Sequence, residues 1–322
     1  MIKRSIVIIA SFLVAAAAAA QSYPNRPVKI VVSYPPGGVV DVLARPLAAG
    51  LQQEWGGNPV LVENRPGANA IIGTDYVAKQ PGDGHTLLFA NDPSLSSNLY
   101  LYSKLPYDPV KDLVPVLMVA STTLILTIQA SLPANNLREL IELAKRKPGE
   151  LSYGSFGPGS VTHLDTEAFA TAAGIKLLHV PYKGTADVVQ AQMAGQISMA
   201  FGAIGPVVQL IGSGKLKAIG VASMQRQPLV PDIPTLHEAG MPNFEARSWF
   251  GIAVPAGTPR AVIDKIAADA RKIVSQPEYR KRFILDQGLE PFDLGPDQFA
   301  EYLVKDRAKY AERIKNANVR LD

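Results

Sequence analysis

The chain has 322 residues, 47% of them hydrophobic and 19% charged, so it can bury a large core and is neither a disordered chain nor a long coiled coil. Its formal net charge is only +4, and two of the basic residues, Lys3 and Arg4, lie in a leader-like pattern at the N-terminus. The charge is therefore too small and too dispersed for a nucleic-acid binder. Cysteine is absent, which excludes disulfides, thiol catalysis, zinc–thiolate sites, iron–sulfur clusters and a lipid-anchored N-terminus.

Residues 1–22 read as a secretory signal: basic Lys3-Arg4, an apolar stretch from Ile6 to Val14, and small residues Ala18-Ala19-Ala20 for cleavage near Ala20. The alternative, a membrane anchor, needs about 20 predominantly apolar residues, and the second half of this stretch is mostly alanine. An exported, periplasmic chain is expected, with residues 1–20 removed.

Val28–Ser33 is a β-branched run that reads as a buried parallel strand, closed by Pro35-Pro36-Gly37-Gly38. Val39–Trp55 follows at helical spacing, with Pro46 as a possible kink. A strand at 60–63, a short helix at 73–79 and a strand at 86–90 complete a βαβαβ rhythm. The sequence then predicts two strands, 114–121 and 124–129, and a helix capped by Asn136. Alternating strands and helices continue through 151–154, 160–173, 176–180, 185–194, 197–201, 206–212 and 216–222. A strand at 250–254 precedes a helix capped by Thr258-Pro259, and further helices are expected at 277–287 and 296–316. The terminal region has too few strands for a sheet of its own, so its helices are expected on the first domain. The expected organisation is residues 23–121 plus 250–322 as domain one and 122–249 as domain two, joined by crossings near Ser121–Thr123 and Trp249–Gly251. Such a cleft can close about a hinge and hold a ligand.

Three strand–turn–helix junctions carry the chemistry. In Ser33-Tyr34-Pro35-Pro36-Gly37-Gly38-Val39-Val40-Asp41, the glycines let a ligand approach the backbone, and the amides at the helix start attract an anion. The same turn also suits a helix start with no ligand. Asp41 is a conceivable general base, but capping helix amides beside Gly37-Gly38 is the simpler role. Tyr153-Gly154-Ser155-Phe156-Gly157-Pro158-Gly159-Ser160-Val161-Thr162-His163 repeats the design with hydroxyls, Ser160 also being an N-cap. It lacks the Gly-Lys-Ser/Thr ending of a phosphate loop and the G-x-S-x-G of a nucleophile elbow. Val180-Pro181-Tyr182-Lys183-Gly184-Thr185 is the third; Lys183 either attracts anions or is a solvated turn residue. His163 and Glu167 stand at metal-ligand spacing without a further histidine nearby, and His237-Glu238 opens a zinc-protease motif that never closes. No metal, cofactor or catalytic set is legible, so an enzyme is not expected.

These motifs together resemble the Bug family of periplasmic solute-binding proteins, the receptors of tripartite tricarboxylate transporters. The resemblance spans nearly the whole mature chain. It rests on Tyr34-Pro35-Pro36-Gly37-Gly38 with Asp41 and Arg45, Val62–Ala68, Pro81–Leu88, Leu105–Pro109, Tyr153-Gly154-Ser155 with Gly159-Ser160 and His163-Leu164, Val180–Gly184, and Ala253–Pro259. It implies a two-lobed α/β Venus-flytrap of type II-like build, with two α/β domains and a double-crossing hinge. It implies a receptor for a small mono- or dicarboxylate, aliphatic or aromatic, that works as a monomer with membrane permease subunits and no cofactor.

By the same resemblance, Pro36, Gly37 and Gly38 hold a ligand carboxylate, with Tyr34, Asp41 and Asn91 beside them. Ser155, Gly157, Ser160, Gly184 and Thr185 form the facing wall, and His163 is expected as a packing or hydrogen-bonding residue by the cleft. Ser198 stands where the family commonly has Asp, which implies tolerance of a second anionic or an apolar ligand group. The stretch Asn91-Asp92-Pro93-Ser94 departs from the family's small-residue run. A periplasmic sensor feeding a signalling receptor, and a secreted enzyme on a related fold, are the competing functions.

Overall fold

The protein is described from a computed structural model over residues 23–321. The expected leader and its cleavage near Ala20 lie outside the described residues. Among the described residues no helix is long and apolar enough to cross a membrane.

The chain opens with β1 (Val28–Val32), α1 (Val39–Glu54), β2 (Val60–Asn64), α2 (Ile71–Ala78) and β3 (Thr86–Asn91). β1 lies between β2 and β3 and is parallel to both, with Val31 opposite Glu63 on one side and Leu88 on the other. Val31 and Val32 are fully buried because a central parallel strand is covered on both faces. α1 runs unbroken through Pro46 and buries Leu43, Leu47 and Leu51. The Asn91-Asp92-Pro93-Ser94 stretch enters a wide helical turn, Pro93–Ser97, that leads into Asn98–Leu101.

The two strands expected at 114–121 and 124–129 are one strand, β4 (Leu113–Gln129), 17 residues long. Thr122 and Thr123 do not break it, since they pair with Ser248 and Arg247 of β9 (Arg247–Pro255). β4 belongs to two sheets. Its first part pairs with β9 and with β10 (Glu290–Leu294), in a sheet that runs β2-β1-β3-β9-β4-β10. Its last part pairs with β7 (Met199–Ala203) and β8 (Leu216–Val221), in a sheet that continues through β5 (Ser152–Ser155) to β6 (Leu178–Pro181). The result is a two-lobed α/β fold in which one strand is common to both lobes.

The helices of the second sheet are α3 (Leu137–Arg146), α4 (Val161–Ala173), α5 (Thr185–Met193) and α6 (Ile204–Gly212). α3 begins at Asn136, whose side chain accepts from Glu139 N at 2.9 Å while Glu139 Oε1 accepts from Asn136 Nδ2 at 2.8 Å. Reciprocal caps of this kind satisfy helix-start amides and contribute about 1 kcal/mol. Tyr153, Phe169 and Phe201 fill the second core; Ile30, Phe89, Ile252 and Ile266 fill the first. α7 (Arg260–Val274) shares that first core with α1.

Three local readings are corrected. Thr258 does not cap α7: its hydroxyl donates to the Pro255 carbonyl at 2.7 Å, and the helix starts after Pro259. The single helix expected over 277–287 is a chain of three short turns that ends at Gly288, where φ is +72°. β10 was not legible because Pro291 interrupts it; the structure places it at the edge of the first sheet, where a proline is tolerated.

The last helix, α8 (Pro296–Ala317), spans both lobes on its buried face. Asp306 accepts from Trp249 Nε1 of β9 at 2.9 Å. Tyr310 donates to Asp92 at 3.0 Å, and Arg313 pairs with the fully buried Asp165 of α4.

Candidate carboxylate site between the lobes

Two of the glycine junctions meet at one cleft of about 510 Å³. The β1–α1 turn contributes Pro36, Gly37 and Gly38 to it, and the β6–α5 turn contributes Gly184 and Thr185. Pro206, near the start of α6, and Leu289, just before β10, close its sides. The volume suits a small organic molecule.

Both turns end in a helix start that no side chain caps. The N-caps are Gly38 for α1 and Gly184 for α5. The first bonds that return to these caps are Val42 N to Gly38 O at 2.9 Å and Val188 N to Gly184 O at 3.2 Å. The amides ahead of them, Val39 and Val40 on one wall and Thr185 and Ala186 on the other, have no intrahelical acceptor. Each helix start also carries about half a positive charge. An anionic oxygen in the cleft would meet backbone amides from two sides, with Asp41 and Asp187 in the first turns of the two helices offsetting part of that positive charge. The charged side chains on its lining are Lys183 and Asp187, both exposed. Val39, Val42, Ala186, Pro206 and Leu289 make the rest predominantly apolar.

Gly37 sits at φ +87°, in the left-handed region where other side chains are strained. Gly38 is at φ −75°, and a Cβ there would find only the Pro35 carbonyl, at 3.8 Å. Asp41 is buried behind the turn. Its Oδ2 accepts the Gly37 amide at 3.0 Å and Arg45 Nε at 2.8 Å. Burial would raise its carboxyl, but the hydrogen bonds from Arg45, Gly37 and Asn64 outweigh that and hold it below the usual range. The Gly37 amide is thereby withdrawn from any ligand. Tyr34 and Asn91 lie beneath the same turn, where Asn91 Nδ2 donates to the Tyr34 hydroxyl at 2.8 Å.

The second glycine loop is occupied with itself. Gly157 N donates to Ser155 Oγ at 3.1 Å, and Ser160 Oγ donates to the Gly157 carbonyl at 2.7 Å. Gly159 N donates to His163 Nδ1 at 2.9 Å. Ser155 Oγ shares a hydrogen bond with His179 Nε2 at 2.6 Å, the serine–histidine contact that sequence spacing does not reveal. Ser155 is fully buried, so this pair braces the loop from inside. Glu167 accepts from the Tyr153 hydroxyl at 2.5 Å. Burial lowers the His163 pKa to about 4. Among the described residues no group of three or more metal-ligating side chains gathers. Ser155, Gly157, Ser160 and His163 are not among the residues that line this cleft.

Ser198 is not at the cleft. It precedes β7 and lies beside Ser152, exchanging backbone-to-hydroxyl bonds of 3.2 Å in both directions. β5 and β7 are parallel, so their starting ends point away from the loops that follow their carboxyl ends. Sequence reasoning missed Gln287, Leu289 and Pro206 as lining residues; they reach the cleft from elements far apart in sequence, which no local motif marks.

A two-lobed binding protein of the periplasmic type is the class that this fold and cleft define. The chain matches the family model described as tripartite tricarboxylate transporter family receptor over residues 43–319. It is 34% identical to Protein BugT of Bordetella pertussis over 316 residues, covering 98% of this chain and 96% of that one. Among solved structures it superposes on R. palustris Rpa4515 with adipate at a TM-score of 0.83 and 30% identity, covering 92% of this chain and 99% of that one. MatC from Rhodopseudomonas palustris with bound malate gives 0.79 at 28% identity, over 91% of this chain and 100% of that one. This chain belongs to the tripartite tricarboxylate transporter receptor family.

Proposed function

We propose that the protein is a periplasmic receptor that captures one small mono- or dicarboxylate between its lobes and delivers it to the permease subunits of a tripartite tricarboxylate-type transporter. The single observation that carries this reading is the pair of uncapped helix starts, α1 at Gly38 and α5 at Gly184, on one cleft. Two positive helix ends on one apolar-walled space suit a ligand with an anionic group and a short carbon skeleton. The apolar lining and the single lysine favour such an acid over a highly charged tricarboxylate. The adipate and malate of the two Rhodopseudomonas structures are acids of this kind.

The lobes in this reading are residues 23–121 with 250–322, and residues 122–249. They rotate about β4 near Ser121–Thr123 and β9 near Trp249–Gly251, and the exported chain acts as a monomer. Closure on the ligand changes the surface that a permease reads. The cleft performs no chemistry in this reading.

The test is a thermal-shift screen of ligand-stripped protein against C3–C10 dicarboxylates, aromatic acids, acidic amino acids and citrate, followed by calorimetry on each hit. A ligand at 100 times its Kd adds about 2.7 kcal/mol of stability, a readily measured shift. A small acid that binds tightly supports the reading. No shift across the panel, with stripping verified by mass spectrometry, overturns it.

A further inference from the structure

Asp41 is 3% exposed and takes no part in the lining of the cleft. It is the centre of a knot behind the β1–α1 turn. Arg45 donates Nε to Asp41 Oδ2 and Nη2 to Oδ1, each at 2.8 Å. Asn64, at the end of β2, donates Nδ2 to Asp41 Oδ1 at 2.9 Å and to the Tyr34 carbonyl at 3.0 Å. Arg45 Nη2 in turn donates to Asn64 Oδ1 at 2.8 Å. With the Gly37 amide on Oδ2, the knot grips the turn at both ends, Tyr34 and Gly37.

A Gly-Gly segment is the most flexible backbone a chain offers. An anion bound by backbone amides therefore gains affinity only if those amides are held in place beforehand. Arg45 and Asn64 are absent from the cleft lining, yet they fix the residue that fixes the turn.

We propose that Arg45 and Asn64 are positioning residues for ligand recognition: they hold the Asp41 carboxylate on the Gly37 amide, so that the Gly38, Val39 and Val40 amides stay aimed into the cleft. This role rests on the carboxylate-receptor reading above. A lysine at this position would keep the charge but only part of the geometry: one ammonium cannot bond both carboxylate oxygens and Asn64 in the plane of a guanidinium.

The test has two arms. In the first, adipate and malate binding to Arg45→Met, Arg45→Lys, Asn64→Ala and the wild-type chain is measured by calorimetry from pH 4.5 to 8. The expected result is about tenfold weaker binding in Arg45→Met and Asn64→Ala, with Arg45→Lys in between. In Arg45→Met the affinity, taken as a ratio to wild type to cancel titration of the ligand, falls further toward the acid end of this series, because burial raises the Asp41 carboxyl once Arg45 no longer opposes it, and a protonated Asp41 releases Gly37. A residue needed only for folding would lower the melting temperature without that pH profile. In the second arm, amide hydrogen exchange in the ligand-free protein reads Gly37, expected to be protected in wild type and to lose about tenfold of that protection in Arg45→Met.

Unchanged affinity in both variants, or a pH-independent loss with Gly37 still protected, overturns the positioning role. Wild-type failure to bind any acid of the panel overturns the receptor reading, while the exchange arm still decides whether the knot holds the turn.

Discussion

His163 and His179 lie face to face, their rings 4.0 Å apart and 9° from parallel, beneath the glycine loop of the second lobe. Tyr153 continues the stack with its ring 4.9 Å from that of His179. Both imidazoles serve the loop as neutral rings: one accepts from Gly159 N, the other shares a hydrogen bond with Ser155. Burial lowers both pKa values to about 4, and His163 lowers that of His179 further while Glu167 opposes.

The sign of the resulting pH dependence follows from linkage. The unfolded chain binds protons on these histidines below the ordinary value of 6.5, whereas the folded chain does not until about pH 4. Their contribution is complete above 6.5 and is lost as pH falls toward 4. The melting temperature is expected to drop across that interval, and His179→Asn to flatten the drop. Scanning calorimetry between pH 7.5 and 4 checks it; an unchanged slope in the variant counts against it.

Asp92 titrates in the opposite sense. It is fully buried, it accepts from the Ser248 hydroxyl and from Trp249 N at 3.2 Å, and its charge is opposed by that of Asp306 on α8. Burial first, then Asp306, push its pKa up to about 7, against Lys309 and the hydrogen bonds of Ser248 and Trp249. A raised folded value means that stability is full below the ordinary aspartate range and declines as pH rises toward 7. Asp92→Asn is expected to raise the urea midpoint at pH 8 and to raise it much less at pH 4.5. A destabilised variant at pH 8 would contradict this.

Arg313 joins α8 to the second lobe through Asp165 and through the Glu245 carbonyl at 2.5 Å. Asp165 is fully buried, so removing its ion-pair partner leaves a buried carboxylate with only Lys309 to offset its charge. Arg313→Ala is expected to cost about 3–5 kcal/mol. Adding Asp165→Asn removes the stranded charge and restores part of that loss. A double-mutant cycle in urea gives the coupling directly, and independent, additive effects would show that the pair is not coupled.

Gly38 and Gly205 test the cleft by steric means. A Cβ at Gly38 has room, so Gly38→Val is expected to leave the melting temperature nearly unchanged while it weakens acid binding at least about tenfold, because its branches crowd the amides of α1. Gly205, at the start of α6, approaches the segment before β10 so closely that a Cβ would lie 2.7 Å from the Gln287 carbonyl oxygen. Gly205→Ala is therefore expected to hold the lobes apart. Small-angle scattering with saturating acid checks it, since the variant should keep a larger radius of gyration than wild type; equal radii would show that this contact does not limit closure.

Much of the fold was legible because it is written in local chemistry. The β-branched run of β1, the Asn136 and Ser160 caps and the glycines that follow β1 and β6 act within a few residues of themselves. Periodicity found nearly every helix, and the ordered set of motifs pointed to the family. The long β4 was read as two strands because nothing in Thr122-Thr123 announces the partners, Ser248 and Arg247, that keep it extended. β10 was hidden by Pro291, which only an edge position permits.

The site divides in the same way. The sequence by itself determined that Pro36-Gly37-Gly38 and Gly184-Thr185 form turns that start helices, since a glycine before an apolar-periodic helix exposes amides wherever it occurs. Only the tertiary structure decided which turns share a cleft. It brought the β1–α1 and β6–α5 turns to one space, folded Ser155, Gly157, Ser160 and His163 into a self-satisfied brace, and sent Ser198 to the opposite end of its sheet. The physical reason is that a helix start is made by its own residues, whereas what it faces depends on strand order and direction, which are set by pairings between residues far apart in the chain.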